Sequence, residues 1–415
     1  MRDPLVSVVV STYRGERLLR GCLEMLLRQS ISDRLEIIVI DSGSPENERG
    51  IVQDMQKEHP NIVYERTPRE TLYSAWNRAL RLSTGIYFAN VNTDDWIRED
   101  ALELFAKALD REPHADVAFA HWASTDTAQR APTEGDLVNF HAPYHPALPL
   151  FYCYSGSTQF WRTSTLSQLG GFDDSFSACG DAEALYRLMR AGGNAVLVPH
   201  VLEGLFQNPK GISLGSDVAL REVAEITARA RRETPLTALF AIDPEDALAV
   251  AAGWTALGNM AMQLRIPWLD DRLNDRSFAH ECYRRALTAA PNYPPALHNR
   301  YSVYFEAGEF GPAESCLAAL PPTTAARIRG ADLGLVQPHV EPARQGPVYE
   351  HSSGVGPVPN SILSGTRPRR IDAIAAELAG AKEYIASLEW HLAREKDEAA
   401  KLREALTEVR GTNRS

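Results

Sequence analysis

The feature that most constrains this chain is the alternation of short β-like runs with helical patterns between Leu5 and about Val198. Leu5 to Val10, Leu35 to Ile40, Ile62 to Glu65, Ile86 to Val91 and Val117 to Ala120 are runs of strand length and strand composition. Between the first two, Leu18, Leu19, Cys22, Leu23, Leu26 and Leu27 recur at i, i+3, i+4 spacing with a charged opposite face, which predicts an amphipathic helix. Strand and helix in turn predict an α/β fold, a mostly parallel sheet covered by helices. Ligands of such sheets sit outside the carboxyl ends of the strands. The residues that end the runs therefore belong together: Ser11-Thr12-Tyr13, Asp41-Ser42-Gly43-Ser44 and Asp94-Asp95.

Asp94 and Asp95 follow the apolar run Ile86, Tyr87, Phe88, Ala89, which reads as a buried strand. A hard divalent cation, Mg²⁺ or Mn²⁺, takes oxygen ligands, and one or two carboxylates plus substrate phosphates complete its shell. The pair thus suits a metal-diphosphate site, and it suits equally an N-cap for a helix beginning near Arg98. The formal net charge of -11, without clustered Lys and Arg, argues against a nucleic-acid partner. Five scattered cysteines with no C-x-x-C spacing suggest neither a disulfide framework nor a zinc site. With no apolar run near the roughly 18 residues of a spanning helix and no signal-peptide core after Met1-Arg2-Asp3-Pro4, a cytoplasmic location is expected.

At 415 residues the chain exceeds one ordinary domain. Strand signals fade after about residue 215, where Val218 to Arg232 and Pro244 to Leu264 read as helices. A helical region over 216–320 is expected. Within it Trp254, Leu257 and Gly258, then Ala279, Tyr283, Ala286 and Pro291, then Tyr304, Gly308 and Ala313 resemble tetratricopeptide hairpins, either as a peptide-binding array or as an extension packed on the first domain. Residues 321–368 are rich in Pro, Gly and Ser and are expected to form a disordered linker. Ile371, Ile374, Leu378, Ala381, Ile385, Leu388, Leu392, Ala399, Leu402, Leu406 and Val409 keep a 3.5-residue repeat. That predicts a coiled coil over 369–410 and a homo-oligomer, or else one amphipathic helix docked on its own chain.

Val6-Ser7-Val8-Val9-Val10-Ser11-Thr12-Tyr13 with Ile37-Ile38-Val39-Ile40-Asp41-Ser42-Gly43-Ser44 resembles the opening of the inverting nucleotide-sugar glycosyltransferases of family 2. The likeness continues through Tyr73-Ser74-Ala75-Trp76-Asn77, Asn92-Thr93-Asp94-Asp95, Gly170-Gly171-Phe172-Asp173 and Gly180-Asp181-Ala182-Glu183, so it covers about residues 5 to 215. The resemblance implies the GT-A fold, the Rossmann-like fold of nucleotide-diphospho-sugar transferases, over residues 1–215. It implies Asp41 as acceptor of the base N–H, Ser11 and Tyr13 beside base and ribose, and Asn77 and Asp94 in the donor site. Asp94 and Asp95 match its metal motif, and Asp181 its general base. Asn92 replaces an acidic residue often seen there, and Asn208-Pro209 stands where a further metal-ligating His is usual. Ser11-Thr12-Tyr13-Arg14-Gly15 has one glycine only, which argues against a nucleotidyltransferase phosphate loop.

The expected activity is sugar transfer from a nucleotide-sugar donor, a UDP-sugar, to a hydroxyl of a glycan or lipid-linked acceptor, assisted by a divalent metal. The alternative is a GT-A-fold scaffold without activity that works through its helices and coiled coil. Peripheral association with a membrane through partners stays open. Trp161 and Arg162 suit either a sugar platform or core packing, and His121, His141, His145 and His200 lack ligand spacing.

Overall fold

In the computed structural model the described residues are 3–141, 143–152, 158–209, 211–212, 217–263, 275–329, 335–338, 340–343 and 369–370. Contacts divide the chain into two units, residues 1–132 with 138–368, and residues 133–137 with 369–415. In the second unit Thr133 donates to the Asp136 carboxylate from its N–H at 2.6 Å and its hydroxyl at 3.1 Å. The expected coiled coil lies outside the described residues.

The strands among the described residues up to 343 are β1 (Val6–Thr12), β2 (Leu35–Asp41), β3 (Ile62–Arg66), β4 (Tyr87–Asn90), β5 (Trp96–Ile97), β6 (Val117–Thr125), β7 (Leu137–Asn139), β8 (Phe160–Arg162) and β9 (Ala195–Phe206). In the first unit the sheet runs β6-β8-β4-β1-β2-β3, with β9 beside β6 and β5 beside β9. Strands β3, β2, β1 and β4 are parallel, whereas β8 lies antiparallel between β4 and β6. The sheet is therefore mixed where the sequence predicts a mostly parallel one. Strands β1 and β2 are apolar on both faces and buried, as parallel strands covered on two sides must be. Their register pairs Thr12 with Asp41, so both strands end at one level. Ile86 is 59% exposed and stands outside β4, which corrects the expected start of that strand.

Helices α1 (Glu16–Leu27), α2 (Glu48–Gln56), α3 (Leu72–Leu82), α4 (Ala101–Arg111), α5 (Thr163–Gln168) and α6 (Gly180–Ala191) belong to the α/β part. The Thr71 hydroxyl caps α3 by accepting the Ser74 N–H at 3.2 Å, and α6 stops at Gly192 with φ of 90°, a left-handed turn open to a residue without Cβ. Helix α4 begins at Ala101 with Asp100 in the N-cap position. Asp94 and Asp95 therefore do not cap it, and Trp96–Ile97 form β5 in between.

Beyond residue 215 follow α7 (Val218–Glu233), α8 (Leu236–Leu239), α9 (Ala247–Gln263), α10 (Arg276–Ala289), α11 (Pro294–Glu306), α12 (Phe310–Ala318) and α13 (Pro322–Arg329). Helices α11, α12 and α13 share a cluster of their own around Leu297, Tyr301, Leu317 and Ile328, whereas α7 to α10 join the core of the α/β part. Ile226, Leu236, Leu239, Leu257, Ala279 and Tyr283 share one buried cluster with Tyr73, Trp76 and Phe172 of the α/β part. Gly258 lies against Tyr283, where an added Cβ would meet the ring at 2.6 Å. Within the expected linker, α13 is helical, and described residues between 335 and 343 are tied by hydrogen bonds. The Asn259 and Asn299 amides donate to the Val336 carbonyl at 2.9 and 2.8 Å, and the Ala343 N–H donates to Leu239 O at 2.9 Å. Pairing of its backbone offsets the weak apolar content of that stretch.

Candidate active site

Asp41 ends β2 at 0% exposure. Its Oδ1 accepts the Ser44 N–H at 2.7 Å, and its Oδ2 accepts the Tyr64 hydroxyl and the Arg66 guanidinium, both at 2.6 Å. A second Arg66 nitrogen donates to the Ser44 carbonyl at 2.6 Å. A buried charge must be compensated in this way. Asp41 thus accepts the Ser44 N–H in the manner of an Asx turn, the other reading its Ser42-Gly43 neighbours favour, and anchors Arg66, a residue the sequence reading missed. Burial and the bond to Asp41 raise the Tyr64 hydroxyl above its usual range, so it is a donor at neutral pH. Tyr13, after β1, is 38% exposed, with the Arg69 guanidinium 3.7 Å from its ring centre, a cation–π contact. Ser11 Oγ accepts the Trp76 indole N–H at 3.3 Å.

Of the acidic pair, Asp95 is 7% exposed and turned inward. Its Oδ2 accepts the Asn92 amide at 2.9 Å and its Oδ1 the Phe206 N–H at 3.0 Å, fastening the loop to the end of β9. Asp94 is half-exposed. Gln129 holds its backbone, donating from its N–H to Asp94 O at 2.9 Å and from its side chain to Thr93 O at 2.6 Å and Leu18 O at 2.7 Å. Beneath the loop, burial and the two carboxylates push the Cys22 thiol up to about 12, so it stays protonated. Among the described residues no group of three or more His, Cys, Asp or Glu is placed to hold a metal ion. The donor set fits a cation only in the manner of Mg²⁺ or Mn²⁺ held by one carboxylate and completed by diphosphate oxygens. Asp95 fixes the loop, and Asp94 is the half-exposed carboxylate of the pair.

Asp181 is the second residue of α6 and half-buried. The Tyr73 hydroxyl donates to its Oδ1 at 3.0 Å, and the Gln159 amide donates to its backbone carbonyl at 3.2 Å. Just before α6, the Glu222 carboxylate of α7 accepts the N–H groups of Ser177, Ala178 and Cys179 at 2.7 to 2.8 Å. Asn77 does not stand open toward a donor. Its amide brackets Phe172, donating to the Phe172 carbonyl and accepting the Phe172 N–H, both at 2.7 Å. Within α6, Glu183 is buried between Arg187 at 2.6 Å and Arg229 at 2.5 Å, and Arg187 also donates to Leu169 O and Gly171 O. Trp161 is fully buried, its indole N–H donating to Gln159 Oε1 at 2.9 Å, which makes it a core residue. Arg162 likewise donates to the Leu109, Glu112 and Ala115 carbonyls. Tyr73, Gln159 and Glu222 went unassigned in the sequence, although Tyr73 lies inside a motif that resembles the family.

Three comparisons bear on this arrangement. Residues 7–165 match the family described as Glycosyl transferase family 2. A chondroitin synthase of Escherichia coli is 27% identical over 237 residues, which is 55% of this chain and 33% of that protein. The glycosyltransferase EpsJ of Bacillus subtilis is 34% identical over 94 residues, 23% of this chain and 27% of that one. The chain spans 33%, 18% and 11% of the first three curated relatives. Among solved structures, a mannosyltransferase of Pyrobaculum calidifontis with GDP-Man and Mn2+ has a TM-score of 0.46 at 18% identity, covering 79% of this chain and 87% of that one. Asp181 and Glu222 lie beyond the family match, whereas Ser11, Tyr13, Asp41, Tyr73, Asp94 and Asp95 lie within it. Over residues 7–165 the chain is thus similar to glycosyltransferase family 2.

Proposed function

We propose that this chain transfers a sugar from a nucleotide-sugar donor, a UDP-sugar, to a hydroxyl of a glycan or lipid-linked acceptor with inversion, on a GT-A-type fold. The observation that carries the reading is the placement of Asp181, a half-buried carboxylate in the first turn of α6, in a chain whose preceding segment is similar to glycosyltransferase family 2. The positive end of the helix favours the ionised carboxylate there. Asp181 removes the proton of the acceptor hydroxyl as that oxygen bonds to the anomeric carbon. The bond from that carbon to the diphosphate breaks, and its electron pair leaves with the nucleoside diphosphate. One displacement from the opposite face inverts the configuration.

Ser11 and Tyr13 line the base and ribose side, and Arg66 and Tyr64, held by Asp41, shape its floor. Asp94 is the residue that would hold a divalent cation, which would supply neutralisation of negative charge on the diphosphate. Relatives named chondroitin synthase and hyaluronan synthase support a polysaccharide acceptor. Cytoplasmic action and a homo-oligomer joined through residues 369–410 complete the reading. Screening UDP- and GDP-sugars for nucleotide release in the presence of Mn²⁺ tests it, with NMR on the released sugar. The reading requires release from one donor class with the inverted anomer appearing first. Silence from every donor, with nucleotide binding intact, favours the scaffold alternative.

A further inference from the structure

One face of α3 presents Tyr73, Trp76 and Asn77 at i, i+3 and i+4, positions that share a side of a helix. Each reaches a different part of the site: Tyr73 bonds to Asp181, Trp76 to Ser11, and Asn77 to Phe172. Of these, Tyr73 has the least room to choose. It is 1% exposed, edge-on to Trp76 at 5.2 Å and 87° and tilted against Phe172 at 5.8 Å. Its remaining side lies on the Gly180 backbone, where a Cβ would stand 2.7 Å from a ring carbon. A ring enclosed in this way cannot swing its hydroxyl elsewhere. Burial, with Asp181 beside it, raises the phenol well above its usual range, so it donates throughout the neutral region.

We propose that Tyr73 is the positioning residue for Asp181, and that position 180 is glycine because only a residue without a side chain admits the Tyr73 ring. The proposal rests on the reading of Asp181 as the base. Donation to Oδ1 fixes the carboxylate rotamer, and with it the direction in which the other oxygen meets an acceptor hydroxyl. A carboxylate that loses this donor spends less time aligned for proton removal, and misplacement of this kind costs rate more than binding. Through Trp76 the same helix also touches Ser11 on the donor side, so a single element sets both halves of the site.

The test compares wild type, Tyr73→Phe, Gly180→Ala and Asp181→Asn on the nucleotide sugar that the wild type hydrolyses, with water as acceptor. Rates are normalised to the fraction that binds nucleoside diphosphate. Tyr73→Phe keeps the ring and removes the donor, so kcat is expected to fall about tenfold or more, as for loss of a hydrogen bond to a charged group, while KM and nucleotide affinity hold within about twofold. Gly180→Ala, where it folds, lowers kcat in the same way. An unchanged kcat in Tyr73→Phe, or a raised KM with unchanged kcat, overturns the proposal when Asp181→Asn is inactive. Wild-type release by Asp181→Asn overturns the assignment of the base itself, and the positioning role with it.

Discussion

Glu222 gives the most quantitative test of how the helices beyond the family-matched segment support the site. Its carboxylate takes three N–H groups, from Ser177, Ala178 and Cys179 at 2.7 to 2.8 Å. Bonds to a charged acceptor contribute about 1.5–3 kcal/mol each in buried settings. Ser177 is exposed and water replaces its bond in the variant; Ala178 is half-buried and Cys179 buried, so water reaches them less well. Glu222→Ala is therefore expected to cost about 2–4 kcal/mol. Glu222→Gln keeps one acceptor oxygen and should cost about half as much. Urea unfolding followed by circular dichroism reads both, as a shifted midpoint with unchanged slope. Because the three donors immediately precede α6, Glu222→Ala should also loosen Asp181 and speed amide exchange at 177–179. A cost below about 0.5 kcal/mol, or equal costs for Gln and Ala, would refute the reasoning.

Other expectations follow from the same geometry. Asp94→Ala should abolish any strengthening of UDP binding by Mn²⁺ in calorimetry, whereas Asp95→Ala should chiefly lower thermal stability by freeing Asn92 and the Phe206 N–H; the reverse pattern would exchange their roles. Burial, with His141 and His200 nearby, holds His121 down to about 3, and burial alone holds His141 and His145 at about 4. Unfolded histidines titrate near 6.5, so the unfolded chain binds more protons between those values. Stability should be full above pH ~6.5 and fall as the pH drops toward 4, by on the order of 3 kcal/mol per group; a flat denaturation midpoint from pH 7 to 4.5 would contradict this. Truncation after residue 343, which spares the bonds of Val336 and Ala343, should lower the mass seen by light scattering while leaving donor hydrolysis intact, and a monomeric full-length chain would favour the docked helix.

Much of the sheet was legible because its strands are continuous apolar runs. Leu35 to Ile40, for instance, corresponds to a strand buried on both faces, differing only at its end. Strands β5 and β8 were not legible, since two or three residues carry no period and pair only after the chain has folded back. Strand β9 contains Pro199, and its pairing with β6 shifts register between Ala120 and Trp122, an irregularity that a sequence pattern obscures. The ends of β1 and β2 pointed to Ser11, Tyr13 and Asp41, and the family-like motifs to Asp94 and Asp181. What held those residues was hidden: Tyr73 is 108 positions from Asp181, and Glu222 is 45 from Ser177. Asp95 looked like a ligand beside Asp94, but the strand end that occupies it, Phe206, is 111 residues away.

The account turns on Asp181 acting as the base that deprotonates the acceptor when a nucleotide sugar is attacked. The most direct measurement is the single-turnover rate of nucleotide release by Asp181→Asn beside the wild type, with nucleoside diphosphate affinity determined on the same samples. The substitution keeps the side-chain volume and removes the base, so release should fall at least about 10²-fold while affinity stays within about twofold. Release by Asp181→Asn at the wild-type rate would contradict the account.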